Sequence, residues 1–219
     1  MPGLPALLQL EGRRCLVVGG GAVAVRRAHA LLESGGIVRV VAPRIDEKFA
    51  RMSVATERRG FEPADLDGVF LVVVATDDAK VNQAVAQAAR DRCVLLNRTD
   101  RPEAGDVAIP AHHRTGPITL AVDTGGVSAS AAAKLRDGFA RSIDPIWPAL
   151  LEAAHPVRKE IQQRLPDDAS SRTRLLRALT DPRSMTILEH RGIDALHEHW
   201  RRMIERAISD NASPRDADA

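Results

Sequence analysis

Two clusters in this chain carry residue types that can do chemistry. The first is Gly19-Gly20-Gly21-Ala22-Val23-Ala24, a G-x-G-x-x-A pattern directly after the apolar run Cys15-Leu16-Val17-Val18. At that spacing Gly19 permits a tight turn, Gly21 lets backbone approach a pyrophosphate, and Ala24 keeps the following helix close to its strand. The helix start adds N–H donors and the positive end of its dipole. The same turn also occurs where nothing binds. The second cluster is Asn97-Arg98-Thr99-Asp100-Arg101-Pro102. Asp100 is the carboxylate placed to accept a proton, and Arg98 and Arg101 suit acidic substituents of a substrate. The bland alternatives are an Asx turn before Pro102 and two solvated arginines.

Positioning these clusters requires a particular set of elements. The pattern predicts a strand over 15–18 and a helix over 22–34 with Val23, Ala24, Ala28, Leu31 and Leu32 inward. A second strand over 37–42 stops at Pro43. Val69 to Ala75 is an unbroken apolar run, as expected for a central parallel strand covered on both faces. Asp77-Asp78 offers N-caps for a helix over 79–92 with Val81, Val85, Ala88 and Ala89 inward, and a strand from Cys93 delivers Asn97 to a loop. The rhythm predicts an α/β fold with a right-handed, Rossmann-type parallel sheet. Both clusters, with Thr76-Asp77, then share the carboxyl rim where ligands of such sheets sit. Ala42-Pro43 ends the second strand without the acid that usually holds a ribose hydroxyl, and Arg44 leaves NAD and NADP both open.

After Asp100 the pattern changes. Strands are expected over 107–109 and 118–123, joined by a polar turn from His112 to Pro117. Gly125-Gly126 leads into a helix over 128–143. Beyond Pro145 the chain reads as helical, with breaks at Pro156, Pro166, Pro182 and Gly192 and a polar tail from Ser209 that is expected to fray. The division expected is 1–105 for the nucleotide-binding domain, 106–145 for a small strand-helix region and 146–219 for a helical region.

Composition narrows the function. There are 31 Lys+Arg against 29 Asp+Glu in 219 residues, and aromatics are 3% with no Tyr, so neither a basic nucleic-acid surface nor a base-stacking platform is expected. The two cysteines, Cys15 and Cys93, both open apolar runs and read as buried reduced thiols. No apolar run is long enough to cross a membrane, and the arginines of the N-terminal stretch follow its apolar residues, unlike a signal peptide. A soluble cytoplasmic protein is the expectation. His112-His113 lacks a third ligand at useful spacing, so no resident metal is expected, and His197 and His199 beside Trp200 read as structural. There is neither a G-x-S-x-G elbow nor a P-loop.

Taken together, Leu4 to Leu10, Gly12 to Gly21, Val23-Ala24, Ala75-Thr76-Asp77-Asp78, Val81-Asn82, Asn97, Asp100, Pro102, Ile109-Pro110-Ala111 and Thr124-Gly125-Gly126-Val127-Ser128 resemble the precorrin-2 dehydrogenases, the dehydrogenase and often ferrochelatase modules of siroheme synthesis. The resemblance runs in order from residue 4 to about 143. It implies NAD-dependent oxidation of precorrin-2 to sirohydrochlorin, a homodimer built through the 106–145 region, and ferrous iron as a second substrate where chelation follows. It makes Asp100 the catalytic aspartate. It also makes Gly19, Gly20, Gly21, Ala22, Val23, Ala42, Pro43, Thr76 and Asp77 the NAD contacts, and Asn97, Arg98, Thr124 and Gly125 the substrate contacts. Two features depart from the family's pattern: Arg98-Thr99 stands where apolar residues are usual, and Ser128-Ala129 replaces Ser-Pro. The uroporphyrinogen methyltransferase domain of some relatives is not expected here. The competing readings are an NAD-sensing regulatory module and a dehydrogenase that never chelates metal.

Overall fold

The computed structural model describes residues 3–212. It divides into two compact units: one runs through Pro110 and takes in Thr124–Ser128, and the other comprises Ala111–Asp123 and the chain from Ala129 onward.

The first unit is a five-stranded parallel sheet in the order β3-β2-β1-β4-β5. Its strands are β1 (Arg14–Val18), β2 (Ile37–Val41), β3 (Ala55–Glu57), β4 (Leu71–Val74) and β5 (Leu95–Arg98). The unbroken apolar runs arise because both faces are covered. Side chains alternate across a strand, so Leu16, Val18, Val72, Val74 and Leu96 pack with Val85, Ala86 and Ala89 of α2 (Ala79–Asp91). On the other face Cys15, Val17, Val38, Val40 and Val73 pack with Ala24, Ala28 and Leu31 of α1 (Ala22–Glu33). The Asp78 carboxylate accepts from the Lys80 and Val81 amides, as its N-cap expectation required.

The edge strand β3 has no apolar run to announce it, and charge holds it instead. Arg39 on β2 donates to Glu57 (2.8 Å) and to both the side chain (3.2 Å) and carbonyl (2.7 Å) of Asp65. Arg59 donates to both Asp65 oxygens and pairs with Glu57. Asp65 is only 3% exposed. Burial pushes its carboxyl pKa up, but the Arg59 hydrogen bonds, the Glu62 amide and the charges of Arg59 and Arg39 together outweigh that and hold it below the usual value.

Cys15 is buried, and burial pushes its thiol pKa up to about 11. Cys93, also expected inside, is exposed: it sits at φ +55° in the turn from α2, and β5 begins two residues later.

The second unit holds an antiparallel hairpin of β6 (Ala111–Thr115) and β7 (Ile118–Val122), α3 (Ala129–Arg141), α4 (Ile146–Arg164), α5 (Ala169–Ala178) and α6 (Pro182–Ala212). His112 and His113 therefore lie in a strand and not in a turn; the reversal is Gly116-Pro117. The expected strand over 107–109 does not form; the chain there is held by side-chain and backbone bonds to β5. Pro156 does not break α4, whose buried Leu150, Ala153, Ala154 and Ile161 pack into the helical core on either side of it. Gly192 does interrupt α6, with φ at +78°. Trp200 lies in this core, its indole N–H donating to Ser184 Oγ at 2.9 Å and that hydroxyl donating to the Ala178 carbonyl at 2.7 Å. Helix continues from Ser209 to Ala212; the rest of the expected tail, 213–219, lies outside the described residues. No helix among the described residues is long and apolar enough to cross a membrane.

Because Asp65 compensates two arginine charges at the sheet edge, Asp65→Ala should lower the unfolding free energy by about 2 kcal/mol. A urea midpoint unchanged from the parent would contradict this account of β3.

Candidate functional site

The carboxyl rim of the sheet is assembled by very close backbone approaches. After β1 the chain turns at Gly19, where φ is +129° and a Cβ would collide with the Ala75 carbonyl at the end of β4. A Cβ on Gly20 would collide with the Arg44 carbonyl beyond β2. The Gly20 carbonyl accepts from the Asp46 amide at 2.9 Å, and the Gly19 amide donates to Val41 at 3.0 Å. The loop is thus tied to the strands on both sides of β1.

Gly21 differs from its neighbours. A Cβ there would meet nothing within 4 Å, and its backbone angles, φ −90° and ψ −172°, suit any residue. It is the N-cap of α1, and no side chain caps that end or places an acid in the first turn. The first N–H groups of α1, from Ala22 and Val23 on, are therefore left for an anion. Open space at Gly21 over an uncapped helix start fits a dinucleotide pyrophosphate. Ala24 is buried against the sheet. At the end of β2, Ala42 is buried and its amide donates to the Glu57 carbonyl at 3.1 Å, while Pro43 and Arg44 are exposed. The chain there runs Ala42-Pro43-Arg44, with no Asp or Glu directly after β2.

Beyond β4 the rim becomes polar. Thr76 Oγ1 donates to Asn82 Oδ1 at 2.6 Å, and Asn82 Nδ2 donates to the Thr76 carbonyl at 3.0 Å and to Asp100 Oδ2 at 3.1 Å. Asp77 is exposed on the same turn. From the end of β5, Arg98 Nε donates to Asp100 Oδ1 at 3.0 Å and Arg98 Nη2 to Oδ2 at 2.5 Å, a two-point grip. The Arg98 side chain is 6% exposed and that of Asp100 is 30% exposed. The Arg98 hydrogen bonds hold the Asp100 carboxyl pKa down to about 2, with Asn82 adding to the effect and partial burial opposing it. Asp100 also raises the Arg98 pKa. In this arrangement Asp100 is an anion and a weak base.

The expected residues thus fall into three places. Gly19 to Val23 with Ala42, Pro43, Thr76 and Asp77 line the rim from β2 to β4, and Arg98 with Asp100 stands at β5, joined to Thr76 through Asn82. Asn97 is turned inward: its Nδ2 donates to the Val107 carbonyl at 2.7 Å, so it fixes the chain after β5. Thr124 and Gly125 lie in the turn before α3, where Thr124 Oγ1 accepts from the Ser128 amide and donates to its carbonyl. Asn82 was not singled out as a site residue. The signal was present: it lies three residues before Val85, an amide on the face of α2 that points into the sheet, and such a group must find partners.

Comparisons with known proteins bear on the fold and the nucleotide-binding unit. A family model described as "Putative NAD(P)-binding" matches residues 6–111. The chain is similar to a siroheme synthase of Methylococcus capsulatus, 34% identical over 199 residues, which is 89% of this chain and 42% of that protein. It is also similar to a siroheme synthase of Thioalkalivibrio sulfidiphilus, 34% identical over 221 residues, 99% of this chain and 44% of that protein. The chain therefore spans less than half the length of these curated relatives. Among solved structures, "SirC, precorrin-2 dehydrogenase" superimposes with a TM-score of 0.74 at 27% identity, covering 91% of this chain and 100% of that one.

The two kinds of glycine make a prediction. Gly20→Ala should lower the melting temperature by several degrees, whereas Gly21→Ala should leave it nearly unchanged and weaken NAD binding by roughly tenfold. Equal effects of the two substitutions on both measurements, by thermal unfolding and calorimetric titration, would contradict the assignment.

Proposed function

We propose that this chain, like the precorrin-2 dehydrogenase it is similar to, oxidises precorrin-2 to sirohydrochlorin with NAD. The observation that carries the proposal is continuity along one rim. An uncapped, open glycine turn and an ionised carboxylate are linked through Thr76 and Asn82.

When bound, NAD supplies the acceptor for a hydride. The amides from Gly20 to Val23 would hold its pyrophosphate beyond the turn that Gly19 makes, Ala42 and Pro43 would flank its adenosine half, and Thr76 and Asp77 would line the crevice toward Asp100. Asp100 meets the proton that the substrate also gives up. Precorrin-2 is a polycarboxylate, which suits the exposed Arg101 beside Asp100. Thr124 and Gly125 complete the substrate side, with Asn97 and Arg98 acting on it by holding the β5 loop and Asp100.

Ferrous iron enters this reading as the substrate of a second step, in which Asp100 assists loss of a pyrrole N–H proton as the metal enters. The segment 106–145, containing the hairpin and all of α3, is proposed as the contact between two copies, and the cytoplasm as the compartment. An NAD-sensing module has less in its favour, because an NAD site alone has no use for a clamped carboxylate at the far end of the rim.

Asp100→Ala should keep the NAD dissociation constant within about threefold and lower NADH formation from precorrin-2 by at least about a hundredfold. Turnover within a few-fold of the parent would remove Asp100 from the mechanism.

A further inference from the structure

The grip on Asp100 is more elaborate than a helix cap or a loop turn needs. Its carboxylate takes three N–H donors, two from one guanidinium and one from a buried amide. The amide is locked in turn. Asn82 is 2% exposed, its oxygen takes the Thr76 hydroxyl, and its nitrogen serves both the Thr76 carbonyl and Asp100. Reversing that amide would set oxygen against two acceptors, so only one orientation is stable. Arg98 is buried, and Asp100 is its ion-pair partner. An unpaired arginine here would be costly, which ties the position of Asp100 to that of β5.

Resting on the dehydrogenase reading, we propose that Arg98 and Asn82 are positioning residues that keep Asp100 ionised and in one orientation, so that it serves the oxidation as a fixed counter-ion and proton relay. Precorrin-2 loses a hydride and one proton, so precorrin-2 and NAD become sirohydrochlorin, NADH and a proton in solution. Between the two losses the macrocycle carries one more positive charge, and a preorganised carboxylate lowers the energy of that state. A carboxylate offers about four acceptor positions, and the neighbouring side chains take three. Oδ1 takes one side-chain donor where Oδ2 takes two, and on this 30% exposed side chain it is where a substrate proton is received and passed to water.

The charged surroundings are few. Arg98 on β5 acts directly on Asp100, and Glu103 in the following turn acts on Arg98. Asn82 from α2 and Thr76 from the β4–α2 turn are neutral, and Asp77, Asp78 and Arg101 are exposed nearby in sequence. The sign follows from the pair: removing Arg98 raises the Asp100 pKa, so protonation silences it at higher pH than in the parent.

The test uses the full chain with its aspartates carrying carbon-13 at Cγ, titrated by NMR, with Asp100→Asn identifying the resonance. In the parent, Asp100 should stay ionised from neutrality down to about pH 3.5. Arg98→Met should bring its midpoint up into the ordinary carboxylate range near pH 4, and Arg98→Lys should keep it low. The acid limb of the pH profile for NADH formation should move up with the midpoint in Arg98→Met and stay near the parent's in Arg98→Lys. At pH 7, Arg98→Met should lose about tenfold in kcat with KM within threefold. If Arg98→Met does not fold, Asn82→Ala should give a smaller upward movement of both. An ordinary Asp100 midpoint in the parent, or a midpoint and acid limb that ignore Arg98→Met, would overturn the proposal while leaving the dehydrogenase reading intact. A depressed midpoint with no NADH formed by the parent would sink the dehydrogenase reading, and the counter-ion role with it.

Discussion

The site depends on how closely the backbone packs where β1 ends. The Gly19 and Gly20 positions leave no room for a side chain, because the Ala75 and Arg44 carbonyls occupy the space where a Cβ would stand. That contact joins the chain after β1 to the ends of β4 and β2 in one layer. It fixes the start of α1 at the middle of the sheet, with its first amides uncapped. It also places Thr76, one residue beyond the contact, where it can reach Asn82 and, through it, Asp100. A parallel sheet supplies such a rim at every strand end, but only a loop this tight brings a helix terminus and a carboxylate into one connected edge.

The second constraint is electrostatic. Most ion pairs among the described residues join exposed or half-exposed partners, such as Arg164 with Glu160 and Glu205, and these contribute little beyond surface solvation. Two groups differ. Asp65 is buried between Arg39 and Arg59 and holds the sheet edge. Arg98 is buried against Asp100, but Asp100 is partly open to solvent. A charge buried on one side and open on the other suits a group that must meet a substrate and yet not move.

Much of the first unit was legible because its signals are local. The glycine turn after Val18, the run through Val72 to Val74, the Asp78 cap and the placement of Asp100 all follow from residue type and period 2 or 3.6. Other features depend on partners far away in sequence. β3 is short and exposed, and it forms because β2 and the Asp65 network meet it. β6 reads as a polar turn because His112, His113 and Arg114 are exposed, and pairing with β7 makes it a strand. Pro156 looked like a helix end, yet packing on both sides of it carries α4 through. Arg98 looked like a substrate clamp. That its guanidinium turns back to Asp100 two residues on could not be read from spacing alone, since neighbouring arginines Arg98 and Arg101 were equally eligible.

The most direct measurement is to mix the purified protein with NAD and precorrin-2 without oxygen and follow NADH and tetrapyrrole absorbance together. The account predicts NADH appearing in step with sirohydrochlorin, one for one, and only with enzyme present. NAD binding without NADH formation would contradict it and return the chain to the class of nucleotide-sensing modules.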